Sequence, residues 1–121
     1  MTIEPPGRRA QMQAESLTEV AAAQVAAARA SGSGRSTHTV VGGQGRMLRQ
    51  AVMAFAAGHG LGEHASPKEA TLQVLTGRVR LTAGNDAWEG SAGDHLVIPD
   101  ARHDLVAVED AAILLTVLTG R

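Results

Sequence analysis

The sequence predicts an all-β sandwich or barrel preceded by one α-helix, on three observations. From about residue 36 onward apolar and polar residues alternate at period two, as where Val79, Leu81 and Ala83 interleave with Arg78, Arg80 and Thr82. Turn signals rich in glycine recur at intervals of roughly 8–12 residues, the spacing of short strands in such folds. Before residue 35 the pattern is helical instead, an alanine-rich stretch opened by a capping signal.

Taken in order, residues 1–15 read as a mobile tail, with Pro5-Pro6-Gly7 followed by polar residues of no clear period. Ser16, with Glu19 three residues on, forms a capping box that opens a helix over about 16–30. Leu17, Val20, Ala21, Gln24 and Ala28 trace its narrow face. Alanine supplies propensity rather than adhesion, so this helix needs another surface, or a partner subunit, to be stable. Ser31-Gly32-Ser33-Gly34 ends it as a flexible linker.

Strands follow at 37–41 and 47–55, the second with Met47, Ala51, Met53 and Phe55 on one side. Residues 58–62 read as a loop, and 63–65 as a short strand stopped by Pro67. Strands at 71–75 and 78–83 flank Gly77, and Gly84-Asn85-Asp86 turns the chain into a short return strand at 87–89. Trp88 covers a pocket edge or caps that hairpin, the second being the commoner role. Segments 95–98, 105–108 and 112–118 complete the set. The last is apolar on both faces, so one face fills the core and the other needs a second sheet or a subunit; a homodimer is the economical expectation. The organisation is thus an extension over 1–34 and a barrel over 35–121.

Composition narrows the function classes. With one Phe, one Trp and no Tyr among 121 residues, the core is aliphatic and there are no aromatic platforms on which bases stack. Eleven basic and twelve acidic residues give a net charge of -1, so no global field gathers phosphate backbones or anionic lipid. Neither a nucleic acid nor a membrane is an expected partner. The absence of cysteine excludes disulfides, thiol catalysis and thiolate metal sites. Arg8 and Arg9 open no signal peptide, because Gln11, Gln13, Glu15 and Glu19 interrupt any apolar run. The expected location is the cytoplasm.

The stretch from Gly58 to His103 resembles the two motifs of the cupin superfamily. Gly58, five residues, His64-x-Ser66, two residues, Glu69, and then Val74-Leu75-Thr76-Gly77 are similar to the first motif. Gly93-Asp94, Leu96-Val97-Ile98-Pro99, Ala101 and His103 are similar to the second, with Ala101 where that motif has glycine and the histidine one residue early. Thr71–Gly84 and Asp110–Val117 resemble small one-domain bacterial cupins, and the likeness covers roughly residues 37–118. It implies a double-stranded β-helix, the cupin jelly-roll barrel, with a small-molecule ligand inside.

In well-formed cupins three histidines and a glutamate hold a divalent metal, which suits Fe, Mn, Ni, Cu or Zn. The residues of this chain that match are His64, Glu69 and His103; Ser66 stands where the second histidine of the first motif belongs. A serine hydroxyl is a poor ligand for such metals and more naturally holds a water or a substrate. Glu69 also comes one residue early, after Pro67, which leaves its direction open. Further pocket candidates are His59 in the glycine-rich loop, His95 in a strand, and Arg49, which can point into the cavity towards an anionic ligand or outward to solvent. Glu63 and Glu69 offer acid–base groups near the histidines. Three functions stay open at this point: a metal-dependent oxygenase, isomerase or lyase acting on a small polar substrate; a metal-free binding or sensing barrel; and an assembly module built on the helix and the last strand.

Overall fold

The computed structural model describes residues 12–66 and 69–119. Most of the expected tail, residues 1–11, lies outside them, as do Pro67 and its expected role in stopping a strand. The described end of that tail is tied down, because Glu15 Oε1 meets His38 Nε2 at 2.6 Å. Helix α1 spans Leu17–Ala30. Ser16 caps it, its hydroxyl oxygen accepting the Glu19 N–H at 3.2 Å. Among the described residues nine antiparallel strands follow: β1 Arg35–Val41, β2 Leu48–Phe55, β3 Gly60–His64, β4 Glu69–Thr76, β5 Arg78–Ala83, β6 Asp86–Ser91, β7 His95–Val97, β8 His103–Ala107 and β9 Ala111–Leu118. They form a five-stranded sheet in the order β1-β2-β9-β4-β7 and a four-stranded sheet in the order β3-β8-β5-β6. No helix among the described residues is long and apolar enough to cross a membrane.

Period-two alternation sorts the side chains between two apolar clusters. Phe55, Leu72, Val74, Val79, Leu81, Leu105 and Ile113 point between the sheets and form the aliphatic core. On the outer face of the larger sheet, Val52, Ala54 and Ala112 pack against Ala21 and Ala28 of α1, with Leu17, Val20, Val25 and Leu114 around them. Alanines let the helix lie close to the sheet, and Ala28 is fully buried there. The surface that the helix requires is therefore this chain's own sheet. That corrects the premise behind the expected dimer, since Ala112 and Leu114 on the outer face of β9 are covered by α1 rather than left for a subunit.

Several strands begin earlier than their sequence pattern indicates, β3 most of all. The stretch over 58–62 reads as a loop because of its glycines, yet Gly60 to Gly62 are part of β3. A Cβ on Gly60 would lie 1.8 Å from the carbonyl oxygen of Leu105, so glycine here is what admits β3 alongside β8. Strand β8 likewise starts at His103. Met47 departs from expectation in the other direction: it lies ahead of β2 and is half exposed rather than in the core. Trp88 packs against the core rather than merely capping a hairpin. Its indole lies where a side chain on Gly90 would otherwise be, with ring carbons 2.3 and 2.5 Å from that Cβ position.

Candidate ligand-binding site

Between the sheets lies a cavity of about 420 Å³, lined by Leu61, His64, Ala65, Ser66, Leu72, Leu81, Ile98, His103, Leu105, Ile113 and Leu115. Leu72, Leu81, Leu105, Ile113 and Leu115 are inward members of their strands, whereas Ala65, Ser66 and Ile98 lie just past the ends of β3 and β7. Leu72 is paired with Leu115 across β4 and β9, and Leu81 with Leu105 across β5 and β8. The aliphatic composition read from the sequence reappears as the wall of this cavity. Beyond His64, Ser66 and His103 the sequence does not mark the individual wall positions, although the alternation in β5 is the signal that finds Leu81.

His64 and His103 stand opposite one another in the β3–β8 register. Their ring centroids are 4.4 Å apart with the planes at 64°, an edge-to-face contact. His103 is buried. Each ring is fixed by its own backbone: His64 Nδ1 donates to the Gly62 carbonyl at 2.7 Å, and His103 Nδ1 donates to the Ala101 carbonyl at 2.9 Å. A carbonyl oxygen only accepts, so the Nδ1 proton is assigned by chemistry, and in the neutral ring Nε2 carries the lone pair. Neither Nε2 has a protein hydrogen-bond partner among the described residues. The cavity therefore carries two paired imidazoles and the Ser66 side chain among otherwise apolar lining residues.

The remaining candidates part company. Ser66 lines the cavity with the two histidines. Glu69 does not: alternation in β4 turns Ala70, Leu72 and Val74 inward, which leaves Glu69 exposed on the outer side. Glu63 is turned away from His64 by the same alternation and forms an exposed ion pair with Arg102 at 3.5 Å. His59 is exposed just ahead of β3, at the strand end opposite His64; its ring occupies the space where a Cβ on Gly34 would sit, 2.4 Å away. His95 points outward because its neighbour Leu96, paired with Leu72, packs into the core. Arg49 shares the inward parity of Met53 and Phe55 but lines an adjoining cavity of about 280 Å³ rather than the main one.

Among the described residues no group of three or more His, Asp or Glu side chains comes together in a way that would hold a metal. Two imidazoles are in place, but the carboxylate of the expected set faces away. The donor set does not fit a metal centre of the kind the motif resemblance implies, since such centres draw three or more protein ligands. On the outer face of the smaller sheet, Glu89 accepts from Arg78 Nε at 3.0 Å and Arg80 Nη1 at 3.1 Å. These bonds, that to Arg78 first, hold its carboxyl below the usual glutamate range. That cluster lies away from the cavity.

No protein-family model matches the chain, and no curated protein does. Solved structures do. A conserved protein of unknown function from Streptococcus pyogenes is similar over 75% of this chain and 79% of its own, at 27% identity and a TM-score of 0.66. An RmlC-like cupin from Desulfovibrio desulfuricans is similar over 69% and 81%, at 24% identity and a TM-score of 0.60. KdgF from Halomonas matches over 73% and 81%, at 21% identity and a TM-score of 0.63. At these identities the likeness speaks for the fold. The chain folds as a cupin, a barrel with the architecture of the cupin superfamily.

Proposed function

We propose that this chain is a binding barrel that takes up a small, largely apolar molecule without a bound metal. The observation that carries this reading is the make-up of the cavity: largely aliphatic walls, with the paired His64 and His103 rings and Ser66 among them. Its volume of about 420 Å³ lies within the usual span of small-molecule sites, roughly 300–1,000 Å³. Burying an aliphatic body there contributes about 0.8 kcal/mol per methylene. The imidazole acceptors favour a hydroxyl or N–H on the ligand over a bare hydrocarbon, because a donor repays their desolvation.

The test is a titration with n-octanol followed by tryptophan emission. Trp88 is the single tryptophan, there is no tyrosine, and Trp88 is paired with Leu81 of the cavity wall. A saturable change at one equivalent is expected. A flat response, with the protein folded, would sink the reading.

The rival reading is a metal-dependent oxygenase, isomerase or lyase. One observation favours it: both pocket histidines donate Nδ1–H to a carbonyl, the arrangement that orients imidazoles in metal sites. Elemental analysis of protein purified without a chelating tag separates the two. Less than about a tenth of an equivalent of any transition metal, unaltered by His64→Ala, is the outcome expected here. A stoichiometric metal that His64→Ala removes would favour the rival.

A homodimer belongs to the same proposal on narrower grounds than the sequence offered. With α1 over one end of the larger sheet, the apolar residues left on its outer face are Leu48, Val97 and Leu118. Light scattering at twice the protomer mass is expected, and Leu118→Lys should shift it to the monomer.

A further inference from the structure

The main cavity adjoins a second one across Leu115, which lines both. Along the inner side of β9, Ile113 and Leu115 line the first, while Leu115 and Val117 line the second. Ile113 to Val117 is a run of about 13 Å at strand rise. At its far end Arg49, paired with Val117, brings a guanidinium to the apolar trough. The histidines lie at that same end of the barrel. The chain descends from His103 along β8, turns at 108–110 and climbs β9 to Leu118. Strand β2, which carries Arg49, is joined to β3, which carries His64, at the opposite end.

Arg49 lacks a counter-ion. Among the described residues it forms no ion pair, and its hydrogen bond, from Nε to Thr119 Oγ1, is long at 3.5 Å. Neither cavity has an acidic residue among its lining residues. A cation at the end of an aliphatic trough matches one ligand chemistry: an apolar body carrying a single anionic head. A carboxylate fits the planar fork of a guanidinium through two parallel hydrogen bonds, and a single arginine balances a single negative charge.

We infer that the ligand of this barrel is a medium-length carboxylic acid whose body lies along Ile113, Leu115 and Val117 and whose carboxylate is held by Arg49. This rests on the binding-barrel reading and names the chemical class of its ligand. Removal of the carboxylate from water is compensated by the guanidinium, whereas an alcohol of the same length has no such compensation there.

The experiment titrates octanoate and n-octanol against the full chain and against Arg49→Gln and Arg49→Lys, all read by Trp88 emission at neutral pH. Octanoate is expected to bind the natural chain about tenfold more tightly than n-octanol, the scale of one charge-assisted hydrogen bond. In Arg49→Gln that ratio collapses to about one, and Arg49→Lys, which keeps the charge but not the fork, falls between. Saturable octanol binding with no preference for octanoate, or a preference that Arg49→Gln leaves intact, overturns the assignment of the carboxylate and spares the barrel reading. No saturable binding of either compound overturns both.

Discussion

Each pocket histidine commits its Nδ1 proton to a carbonyl two residues back, so a ligand meets two acceptors rather than an acceptor and a donor. His103→Leu, which keeps a buried side chain but removes one acceptor, is expected to weaken n-octanol binding by about 1 kcal/mol, measured by the Trp88 titration. Glu69→Gln is expected to change that affinity by less than twofold, because the carboxylate is exposed on the outer side of β4. A tenfold effect would return Glu69 to the site. Gly60→Ala should lower the urea-unfolding free energy by about 2 kcal/mol or more, since the added Cβ meets the Leu105 carbonyl. At this scale the sequence was uneven. His64, Ser66 and His103 are readable as pocket residues from motif spacing, and they meet. Glu69 is not, because one residue in a strand reverses the face, and spacing alone does not say where β4 begins.

The elements divide the stabilising work between two clusters. α1 covers Val52, Ala54, Ala112 and Leu114, so a chain lacking residues 1–34 should bind more of a dye sensitive to apolar surface and melt several degrees lower. An unchanged melting temperature would mean that the helix contributes nothing to the barrel. On the smaller sheet, the Arg78–Glu89–Arg80 cluster makes one contribution pH-dependent. The carboxyl of Glu89 sits lower in the folded chain than in the unfolded one, so its contribution is present above the unfolded value. It is lost as pH falls through the folded value. Glu89→Gln should therefore lower stability at neutral pH, and the difference from the natural chain should vanish in acid, both by urea unfolding. The helix, its cap and most strands were legible from period and punctuation. The surface under the helix was not, because small residues such as Ala21 and Ala28 carry no signal of what they pack against. Gly60 misled for a related reason: glycine marks a loop in the sequence and a close strand contact in the fold.

For the whole molecule, alternation and turn spacing are sufficient to predict an all-β sandwich or barrel, because those patterns report directly on which faces are buried. Chemistry was harder to read. Here both motifs persist while the carboxylate of the ligand set faces away from the cavity, so likeness to a metal-binding family carries the fold further than the metal. The central claim is that the barrel holds an apolar ligand on its own residues. Calorimetric titration of n-octanol into chelator-treated protein, with and without added divalent metal, tests it most directly. The account predicts one site with the same affinity in both conditions. Binding that appears only once metal is restored, and that His103→Ala then abolishes, would contradict it.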